Sequence, residues 1–370
     1  MQNGNSRPLI IVAMSGGVDS SLAALFLKEQ GYNVVGVTLK LWDYDEVGGN
    51  VHRESVCCSL EMINNARAVC QQIGAAHYVL DFKEEFKRQI IQNFVDEYKR
   101  GRTPYPCIIC NRQVKWKALW EKVSSLGATY MATGHYARVR FDEKVGRYQV
   151  LKGLDSSRDQ SYALWGLSQE DLAHTIFPLG ETSKTENRRL AEQHNLKTAD
   201  TPDSQELCFV PDNDFGRFFR EWENGNGSFE PGPIYGLNGE RLGEHKGLPF
   251  YTIGQRKGLK LAFGRPRYVA KLDAEKNALY IGGNEDLMKK IFKASNINWI
   301  SIDRPNGPVR CEVKIRYQHK PSTAILYPLN ESEAKVMFLE PERAITPGQS
   351  AVFYSGEILL GGGIIDVVDD

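Results

Sequence analysis

The junction between the first apolar run and the first amphipathic run of the chain is rich in glycine and serine. Residues 8–13 are continuously apolar and predict a buried strand, and residues 20–30 place Leu22, Leu25 and Phe26 on one helical face. Glycines between them allow a sharp turn, and the free N–H groups at a helix start attract an anion. The sequence therefore predicts a phosphate-binding loop, made of Ala13, Met14, Ser15, Gly16, Gly17, Val18, Asp19 and Ser20.

The chemistry of this loop has two interpretations. Ser15 and Ser20 supply hydroxyl donors, and Asp19 supplies a carboxylate that suits a metal ion bridging phosphates. The alternative is an ordinary serine or aspartate helix cap after a glycine turn. The coincidence of glycines, serines and aspartate at one strand–helix junction favours phosphate binding. No GxxxxGK[ST] occurs, so this is not a Walker-type loop.

Strand and helix patterns continue to alternate after this loop. Residues 32–39 predict a second strand, residues 61–74 a helix, residues 77–81 a third strand, and residues 128–134 a further strand. Repeated strand–helix–strand units are typical of a doubly wound α/β domain with a parallel sheet. We expect this domain to span residues 1–215.

Turn residues and short strand-like runs dominate the remainder of the chain. The segment 181–195 is charged and predicts a helix, and Pro and Gly clusters follow it, including residues 224–227 and 231–233. Such a pattern predicts small β domains or barrels. We expect a small central β domain at 216–283 and a C-terminal β-barrel domain at 284–370. The strand-like runs are 268–272, 278–281, 309–316, 324–327, 350–353 and 358–361.

The charge of the chain balances, with 46 Lys+Arg against 46 Asp+Glu. A zero sum argues against non-specific binding of polyanions, but it does not exclude a local basic face. Residues 97–122 carry a net charge of +5, and residues 246–271 contain seven basic and no acidic residues. Aromatic residues interleave these stretches and are candidates for base stacking, although Trp116 and Trp120 also fit a core stripe. The aromatic residues are Trp116, Trp120, Tyr251, Phe263 and Tyr268.

The remaining composition indicates a cytoplasmic protein. No apolar run approaches the ~20 residues that a membrane helix needs, and the N-terminal residues lack the apolar core of a signal peptide. Seven cysteines spread over 370 residues fit a reducing compartment.

Two of the cysteines form a Cys-x-x-Cys pair, Cys107 and Cys110, in a proline-containing loop with basic neighbours. Nearby cations and a following helix start favour thiolates. A structural zinc site would need a second pair, and the adjacent Cys57 and Cys58 are poorly spaced for one. Taken alone, Cys208 resembles a small buried hydrophobe, which is how we interpret Cys70 and Cys311.

Several motifs occur in a characteristic order. Together they resemble the tRNA 2-thiouridylases of the PP-loop ATP pyrophosphatase superfamily, and the resemblance runs from residue 9 to about 365. The motifs are SGGVDSS at 15–21, PC-x-x-CNR at 106–112, ATGHYAR at 132–138, DQSY at 159–162, DSQ at 203–205 with Cys208-Phe209, and YTIGQRKG at 251–258.

The resemblance implies ATP-dependent 2-thiolation of a wobble uridine in tRNA, with Mg²⁺ as cofactor. ATP would lie on the loop, with Leu39 and Gly134 lining its adenosine, and would adenylate O2 of the uridine. Cys208 would carry a persulfide, and Cys110 would be the nucleophile that forms a transient disulfide with it. The implied partners are a tRNA with a wobble uridine and an upstream sulfur-carrier protein or cysteine desulfurase, with no membrane.

One departure from the family pattern leaves alternatives open. Many members have Asn-Pro-Asp where this chain has Tyr105-Pro106-Cys107, so the contact of that tripeptide with the target base carries over weakly. The extra thiol resembles a variant group in which Cys107, Cys110 and Cys208 would hold a 4Fe–4S cluster that delivers sulfide. The residues that the resemblance places against tRNA are Tyr105, Pro106, Cys107, Arg158, Asp159, Gln160, Arg316 and Tyr317.

Two functions of other classes also remain open at this point. A PP-loop enzyme that amidates or ligates a small metabolite would need an ammonia source, and no glutaminase-like domain is evident. A non-catalytic RNA-binding module would be expected to carry a decayed loop, whereas SGGVDSS is intact.

Overall fold

The computed structural model describes residues 7–42, 60–203, 207–210, 212, 214–222, 229–259 and 264–369. Cys57, Cys58, Ser204, Gln205, Phe263 and residues 224–227 lie outside these residues. The chain divides into two compact units, which we describe separately. The first is Met1–Gln89 with Ile108–Glu221, and the second is Ile90–Cys107 with Trp222–Asp370.

The first unit is built on a five-stranded parallel sheet. The strands at residues 9–13, 33–40 and 130–133 are mostly buried, as a parallel sheet covered by helices requires, whereas the edge strand at residues 76–81 is largely exposed. The strand order is β3-β2-β1-β4-β7, so the predicted doubly wound α/β domain is confirmed. The strands are β1 (Leu9–Ala13), β2 (Asn33–Lys40), β3 (Ala76–Asp81), β4 (Tyr130–Thr133) and β7 (Thr175–Ile176).

Helices and one hairpin complete the first unit, apart from the helical residues within 90–107 and Trp222, which belong to the second unit. A 12-residue helix follows the predicted phosphate loop, and its apolar face packs on the sheet. An antiparallel hairpin joins β5 (Ala137–Asp142) to β6 (Arg147–Lys152). The α-helices are α1 (Val18–Glu29), α2 (Leu60–Gln72), α3 (Lys83–Phe86), α4 (Gln92–Lys99), α5 (Pro106–Ile109), α6 (Trp120–Ser124), α7 (Gln169–Ala173), α8 (Lys184–Gln193) and α9 (Phe215–Trp222). Two π-helical segments, Lys87–Ile91 and Cys110–Leu119, and a 3₁₀ turn, Ser161–Leu164, lie between them.

The second unit contains a small four-stranded sheet with the order β10-β11-β8-β9. Its apolar residues form a separate core around Ile234, Val269 and Ile281. The strands are β8 (Gly232–Gly236), β9 (Arg241–His245), β10 (Tyr268–Asp273) and β11 (Ala278–Gly282). Two short 3₁₀ turns, Leu248–Phe250 and Glu285–Leu287, accompany them.

A closed antiparallel barrel forms the C-terminal part of the second unit. The strands follow the order β12-β15-β14-β13-β16-β17, and β17 pairs back with β12. The barrel encloses a core of its own, so the predicted C-terminal β-barrel is confirmed. The strands are β12 (Met288–Trp299), β13 (Val309–Lys314), β14 (Ser322–Pro328), β15 (Glu333–Arg343), β16 (Ser350–Ser355) and β17 (Ile358–Val368).

The aromatic and cysteine side chains are only partly placed as predicted. Trp116 is 1% exposed and donates a hydrogen bond from Nε1 to Thr175 Oγ1, and Tyr251 is 5% exposed. The prediction that these two residues stack on bases is therefore wrong, because both side chains are buried in the core. Cys70 and Cys311 are buried as predicted, and burial raises the pKa of their thiols to about 11 and about 12.

In the described part of the chain, no helix is both long enough and apolar enough to cross a membrane.

Candidate active site

The predicted phosphate loop connects the end of β1 to the start of α1. Gly16 has a φ of +82°, and a Cβ there would lie 2.1 Å from the carbonyl oxygen of Met62. Only glycine fits this position, because a side chain would meet backbone and the conformation is left-handed. Ser20 Oγ accepts a hydrogen bond from the Ser15 N–H at 3.2 Å and donates to the Gly17 carbonyl at 3.2 Å. The turn thus presents the N-terminus of α1 at the sheet edge.

The loop lies at the carboxyl edge of the parallel sheet. Ala13 ends β1, Thr133 ends the neighbouring strand β4, and the two residues are paired in register. Leu39 lies near the end of β2 on the other side of β1. Chain connections diverge between β1 and β4, which makes this edge a topological switch point of the kind that binds ligands in α/β sheets.

Gly134 packs directly against the start of α1. A Cβ on Gly134 would lie 2.7 Å from the backbone carbon of Asp19 and 2.7 Å from the Ser20 nitrogen. The residue after β4 must therefore be glycine for the helix start to approach this closely. The structure brings Gly134 together with the predicted loop.

The carboxylate of Asp19 is held by two neighbours. Tyr136 donates its hydroxyl hydrogen to Asp19 Oδ1 at 2.7 Å, and Lys184 Nζ lies 2.8 Å from Oδ1 and 2.7 Å from Oδ2. Asn187 donates to the Tyr136 hydroxyl oxygen at 3.0 Å. Burial and the negative charge of Asp19 raise the pKa of Tyr136 above its ordinary range, so this hydroxyl stays a donor.

Lys184 also contacts a second carboxylate, that of Asp203. Its Nζ lies 2.8 Å from Asp203 Oδ1, which Arg188 contacts at 2.9 Å, while Arg158 contacts Oδ2 at 3.0 Å. Burial alone would raise the pKa of Asp203. The hydrogen bond and charge of Lys184, with the charges of Arg188 and Arg158, outweigh burial and lower that pKa. Asp203 is therefore a carboxylate at neutral pH.

Sequence reasoning missed this network. Lys184, Asn187 and Arg188 are spaced i, i+3, i+4 and lie on one face of α8, in a segment predicted only as a charged helix. The spacing was the available signal. It did not identify the partners, because Asp19 is 165 residues away from Lys184 along the chain.

His135 lies beside the loop in an aromatic environment. Its ring centroid lies 5.8 Å from that of Trp116 and 6.0 Å from that of Phe177, and Nδ1 is 2.7 Å from Thr133 Oγ1. Burial, with the charge of Lys115, lowers the pKa of His135 to about 3. The imidazole is therefore neutral at physiological pH.

Cys110 begins the π-helical segment and is 9% exposed. The next residue, Asn111, donates from Nδ2 to the Ala163 carbonyl at 2.9 Å and accepts from Lys115 Nζ at 2.9 Å. These contacts fix the start of the segment against the 3₁₀ turn. Irregular helical turns of this kind are frequent at functional sites.

Cys208 lies in a turn and is half-buried. The neighbouring Phe209 is fully buried, with ring centroids 5.8 Å from Phe86 and 5.4 Å from Phe218. Phe209 anchors the turn and leaves Cys208 nearer the surface. The transient disulfide between Cys110 and Cys208 stays a prediction.

The three predicted tRNA contacts at 158–160 serve different structural purposes. Asp159 accepts hydrogen bonds from the Gly153 and Ser161 backbone, and Gln160 exchanges hydrogen bonds with the Tyr136 backbone. Arg158 pairs with Asp203 while its side chain stays 45% exposed. Of the three, Arg158 has the most accessible charge, and a tRNA contact here remains a prediction.

In the second unit, the segment before Pro106 is fixed to the barrel. The Thr103 N–H donates to the Pro347 carbonyl at 2.9 Å, and Gln349 Nε2 donates to the Thr103 carbonyl at 2.8 Å. Arg102 pairs with Glu97 and with Asp366 of β17. The segment is thereby held at both its backbone and its side chains.

This attachment brings two of the predicted tRNA residues together. The rings of Tyr105 and Tyr317 are stacked, with centroids 6.3 Å apart and planes 14° from parallel. Lys314 Nζ lies 5.9 Å from the Tyr317 ring centroid, and Arg316 donates to the Arg343 carbonyl at 2.6 Å. An aromatic pair beside cations suits a nucleobase and its phosphate.

Some basic residues of the predicted RNA face are used internally. Arg102 is committed to Glu97 and Asp366, and Lys122 lies 4.1 Å from the Phe82 ring centroid. The charge sum of a sequence segment therefore overstates the charge that is available to a phosphate backbone.

The described residues contain no group of three or more His, Cys, Asp or Glu side chains that could hold a metal ion. Asp19 nevertheless supplies one carboxylate beside the predicted phosphate loop, and its charged contact is Lys184. One such carboxylate suits Mg²⁺, which proteins bind through one or two carboxylates together with substrate phosphates.

Comparison with protein families covers almost the entire chain. The model of the tRNA methyl transferase HUP domain matches residues 9–212, the tRNA methyl transferase PRC-barrel domain matches 224–283, and the aminomethyltransferase beta-barrel domain matches 289–365. A protein of Heliobacterium modesticaldum named tRNA-specific 2-thiouridylase MnmA is 48% identical over 360 residues, covering 97% of this chain and 92% of that protein.

The chain belongs to the tRNA-specific 2-thiouridylase MnmA family. Another member, from Symbiobacterium thermophilum, is 48% identical and covers 99% of this chain and 94% of that protein. The Clostridioides difficile member is 46% identical, and the match covers 96% of this chain and 98% of that protein. The family resemblance inferred from the ordered motifs is confirmed.

Proposed function

We propose that this protein is an ATP-dependent tRNA-uridine 2-sulfurtransferase that acts on the wobble uridine. The observation that carries the proposal is the glycine-rich turn at the switch point of the sheet, in a chain that also holds Cys110 and Cys208 in its first unit. The near full-length similarity to proteins named tRNA-specific 2-thiouridylase supports it.

The first step uses the phosphate loop. ATP binds with its phosphates on residues 13–20 and its adenosine beside Leu39 and Gly134. O2 of the uridine attacks the α-phosphorus and displaces pyrophosphate, which leaves AMP on the base. Bound Mg²⁺, held through Asp19, would neutralise phosphate charge. The N-terminus of α1 supplies N–H donors to the same phosphates.

The second step uses the two cysteines. The terminal sulfur of a Cys208 persulfide attacks C2 of the activated uridine, and AMP leaves with its oxygen. The Cys110 thiolate then attacks Cys208 Sγ, which breaks the S–S bond to the transferred sulfur and forms the Cys110–Cys208 disulfide. A thiol reductant restores both cysteines, and a sulfur-carrier protein or cysteine desulfurase reloads Cys208.

Each unit, taken by itself, offers candidate tRNA contacts. The stacked Tyr105 and Tyr317, with Arg316, offer base stacking and charge, and Arg158 offers an accessible guanidinium. Asp159 and Gln160 are carried over from the family pattern, whereas Tyr105-Pro106-Cys107 departs from its Asn-Pro-Asp, so the contacts of Pro106 and Cys107 carry over weakly.

The cluster route has no comparable support. It needs Cys107, Cys110 and Cys208 as a common ligand group, and among the described side chains no such group is assembled. We therefore derive no step through an iron–sulfur cluster and propose the persulfide route.

The test is product formation by single cysteine variants. The full-length protein is incubated with unmodified tRNA, Mg²⁺-ATP and a persulfide donor, and 2-thiouridine is quantified by mass spectrometry of digested tRNA. We expect Cys110→Ser and Cys208→Ser to abolish the product. Cys311→Ala, which removes a thiol from the barrel core, is the matched control and should retain activity. Product formation by both serine variants would overturn the cysteine assignments.

A further inference from the structure

Lys184 occupies an unusual position for a lysine, because its side chain is only 8% exposed. It is the first residue of α8, whose N-cap Ser183 accepts a hydrogen bond from the Glu186 N–H. Its own backbone N–H donates to Asp155 Oδ2 at 3.0 Å. The Lys184 backbone is thus fixed, and the side chain reaches back to Asp19.

The ammonium of Lys184 is fully engaged by carboxylates. It contacts both oxygens of Asp19 and one oxygen of Asp203, at 2.7 to 2.8 Å. An ammonium has three N–H donors, so these contacts use all of them. Without Lys184, Asp19 would keep only the neutral Tyr136 hydroxyl among the contacts described above.

Lys184 contacts both carboxylate oxygens of Asp19. A divalent cation bound to the same carboxylate would lie close to the Lys184 ammonium, and the two positive charges would repel each other. Asp203, by contrast, has Arg188 and Arg158 as additional partners. Because these two arginines hold Asp203 in place, the contact of Lys184 with Asp203 anchors the ammonium when Asp19 is released.

We propose that Lys184 and Mg²⁺ are alternative partners of Asp19, so that Lys184 is a positioning residue that sets the Mg²⁺ requirement for ATP binding. Lys184 neutralises Asp19 and orients it while the loop is empty. When the metal nucleotide arrives, Lys184 releases Asp19 and stays on Asp203. This inference rests on the proposed function, because it presumes that the loop binds ATP.

The test measures binding rather than turnover. Affinity of the full-length protein for an ATP analogue with a methylene group between the α and β phosphates is measured by calorimetry over a series of MgCl₂ concentrations. In Lys184→Met the competitor for Asp19 is gone. We expect the MgCl₂ concentration for half-maximal affinity to fall by about tenfold to a hundredfold, the range for loss of a hydrogen-bonded charge contact.

Two further variants control this measurement. Lys184→Gln removes the charge but keeps an N–H donor toward Asp19, and it should shift the MgCl₂ requirement in the same direction if Lys184→Met does not fold. Arg158→Met removes a cation from Asp203 without touching Asp19, so its shift should be much smaller. The assay contains no tRNA, so the predicted tRNA contact of Arg158 does not enter.

The outcomes separate this inference from the proposed function. If the wild type binds no analogue at any MgCl₂ concentration, the proposed function fails. If the wild type binds but the Lys184 variants keep or raise the MgCl₂ requirement, the competition is refuted. An equal loss of affinity with and without Mg²⁺ would make Lys184 a direct phosphate ligand and would also overturn the inference.

Discussion

Gly134→Ala tests whether the end of β4 shapes the phosphate site. The added Cβ would lie 2.7 Å from two backbone atoms of α1, at Asp19 and Ser20, whereas ordinary contacts begin at 3.4 Å. The helix start must therefore move by about 0.7 Å, a shift of the kind that costs about 1–3 kcal/mol when a packed site is overfilled. A misplacement near 1 Å lowers rates by about a hundredfold when the group concerned positions the substrate.

We expect Gly134→Ala to remain folded, to unfold at a lower temperature, and to lose at least about tenfold in ATP-analogue affinity. Calorimetry measures the affinity, and thermal denaturation measures the stability. Gly307→Ala is the matched control, because a Cβ there meets nothing within 4 Å and the backbone has no positive φ. Unchanged affinity in Gly134→Ala, with stability lowered or not, would refute the assignment of this edge as the nucleotide site.

Three further predictions address the tRNA contacts, the carboxylate network and the metal content. Tyr105→Ala and Tyr317→Ala should each raise the KM for tRNA by about tenfold with a smaller change in kcat, because each removes one ring of the stack; equal KM values would exclude the pair as an RNA contact. Asp203→Asn should lower the free energy of unfolding at pH 7 by about 1–2 kcal/mol, as measured with urea. The pKa of Asp203 in the folded protein lies below its ordinary value of 3.8, so the ionised side chain stabilises the wild type above pH 3.8 and this stabilisation is lost as the pH falls through the folded pKa. The difference in free energy of unfolding between the two proteins should therefore vanish in acid. A difference that stays constant with pH would contradict the charge assignment. Protein purified anaerobically and free of iron and sulfide should be fully active, and activity that tracks iron content would restore the cluster route.

The inner strands of the parallel sheet were predictable because they are mostly buried. β1 and β2 are short apolar runs rich in β-branched residues, and each lies next to a helical segment in the sequence. This pattern is typical of buried parallel strands. The phosphate loop was predictable for a related reason, since Gly16 marks a turn that other residues cannot make.

The barrel strands were predicted less completely. β12 and β15 were missed because charged and apolar residues mix in both, and β12 changes register with each of its neighbours. β17 was predicted too short, as residues 358–361 instead of Ile358–Val368, and its central glycines interrupt the apolar pattern at that point. A Cβ at Gly361 would lie 2.3 Å from the Asn298 carbonyl oxygen, so this glycine permits a close strand approach.

The contacts of the carboxylate network at the site could not be predicted from the sequence. The sequence marks Asp19 as a metal ligand candidate and α8 as a charged helix, but only the fold makes Lys184 the partner of Asp19. Similarly, Tyr105 and Tyr317 were each candidates for tRNA contact, and their stacking depends on how the segment before Pro106 attaches to the barrel. Contacts between distant segments require the tertiary structure.

The central claim is that ATP cleavage and sulfur transfer are coupled on tRNA. The most direct measurement is a single reaction of the full-length protein with unmodified tRNA, Mg²⁺-ATP and a persulfide donor, in which AMP, pyrophosphate and 2-thiouridine are all quantified. Our account predicts equal amounts of the three products, with the 2-thiouridine located at the wobble position of the tRNA. It also predicts negligible AMP without tRNA. Formation of AMP without tRNA on addition of a small metabolite, with no 2-thiouridine, would contradict it.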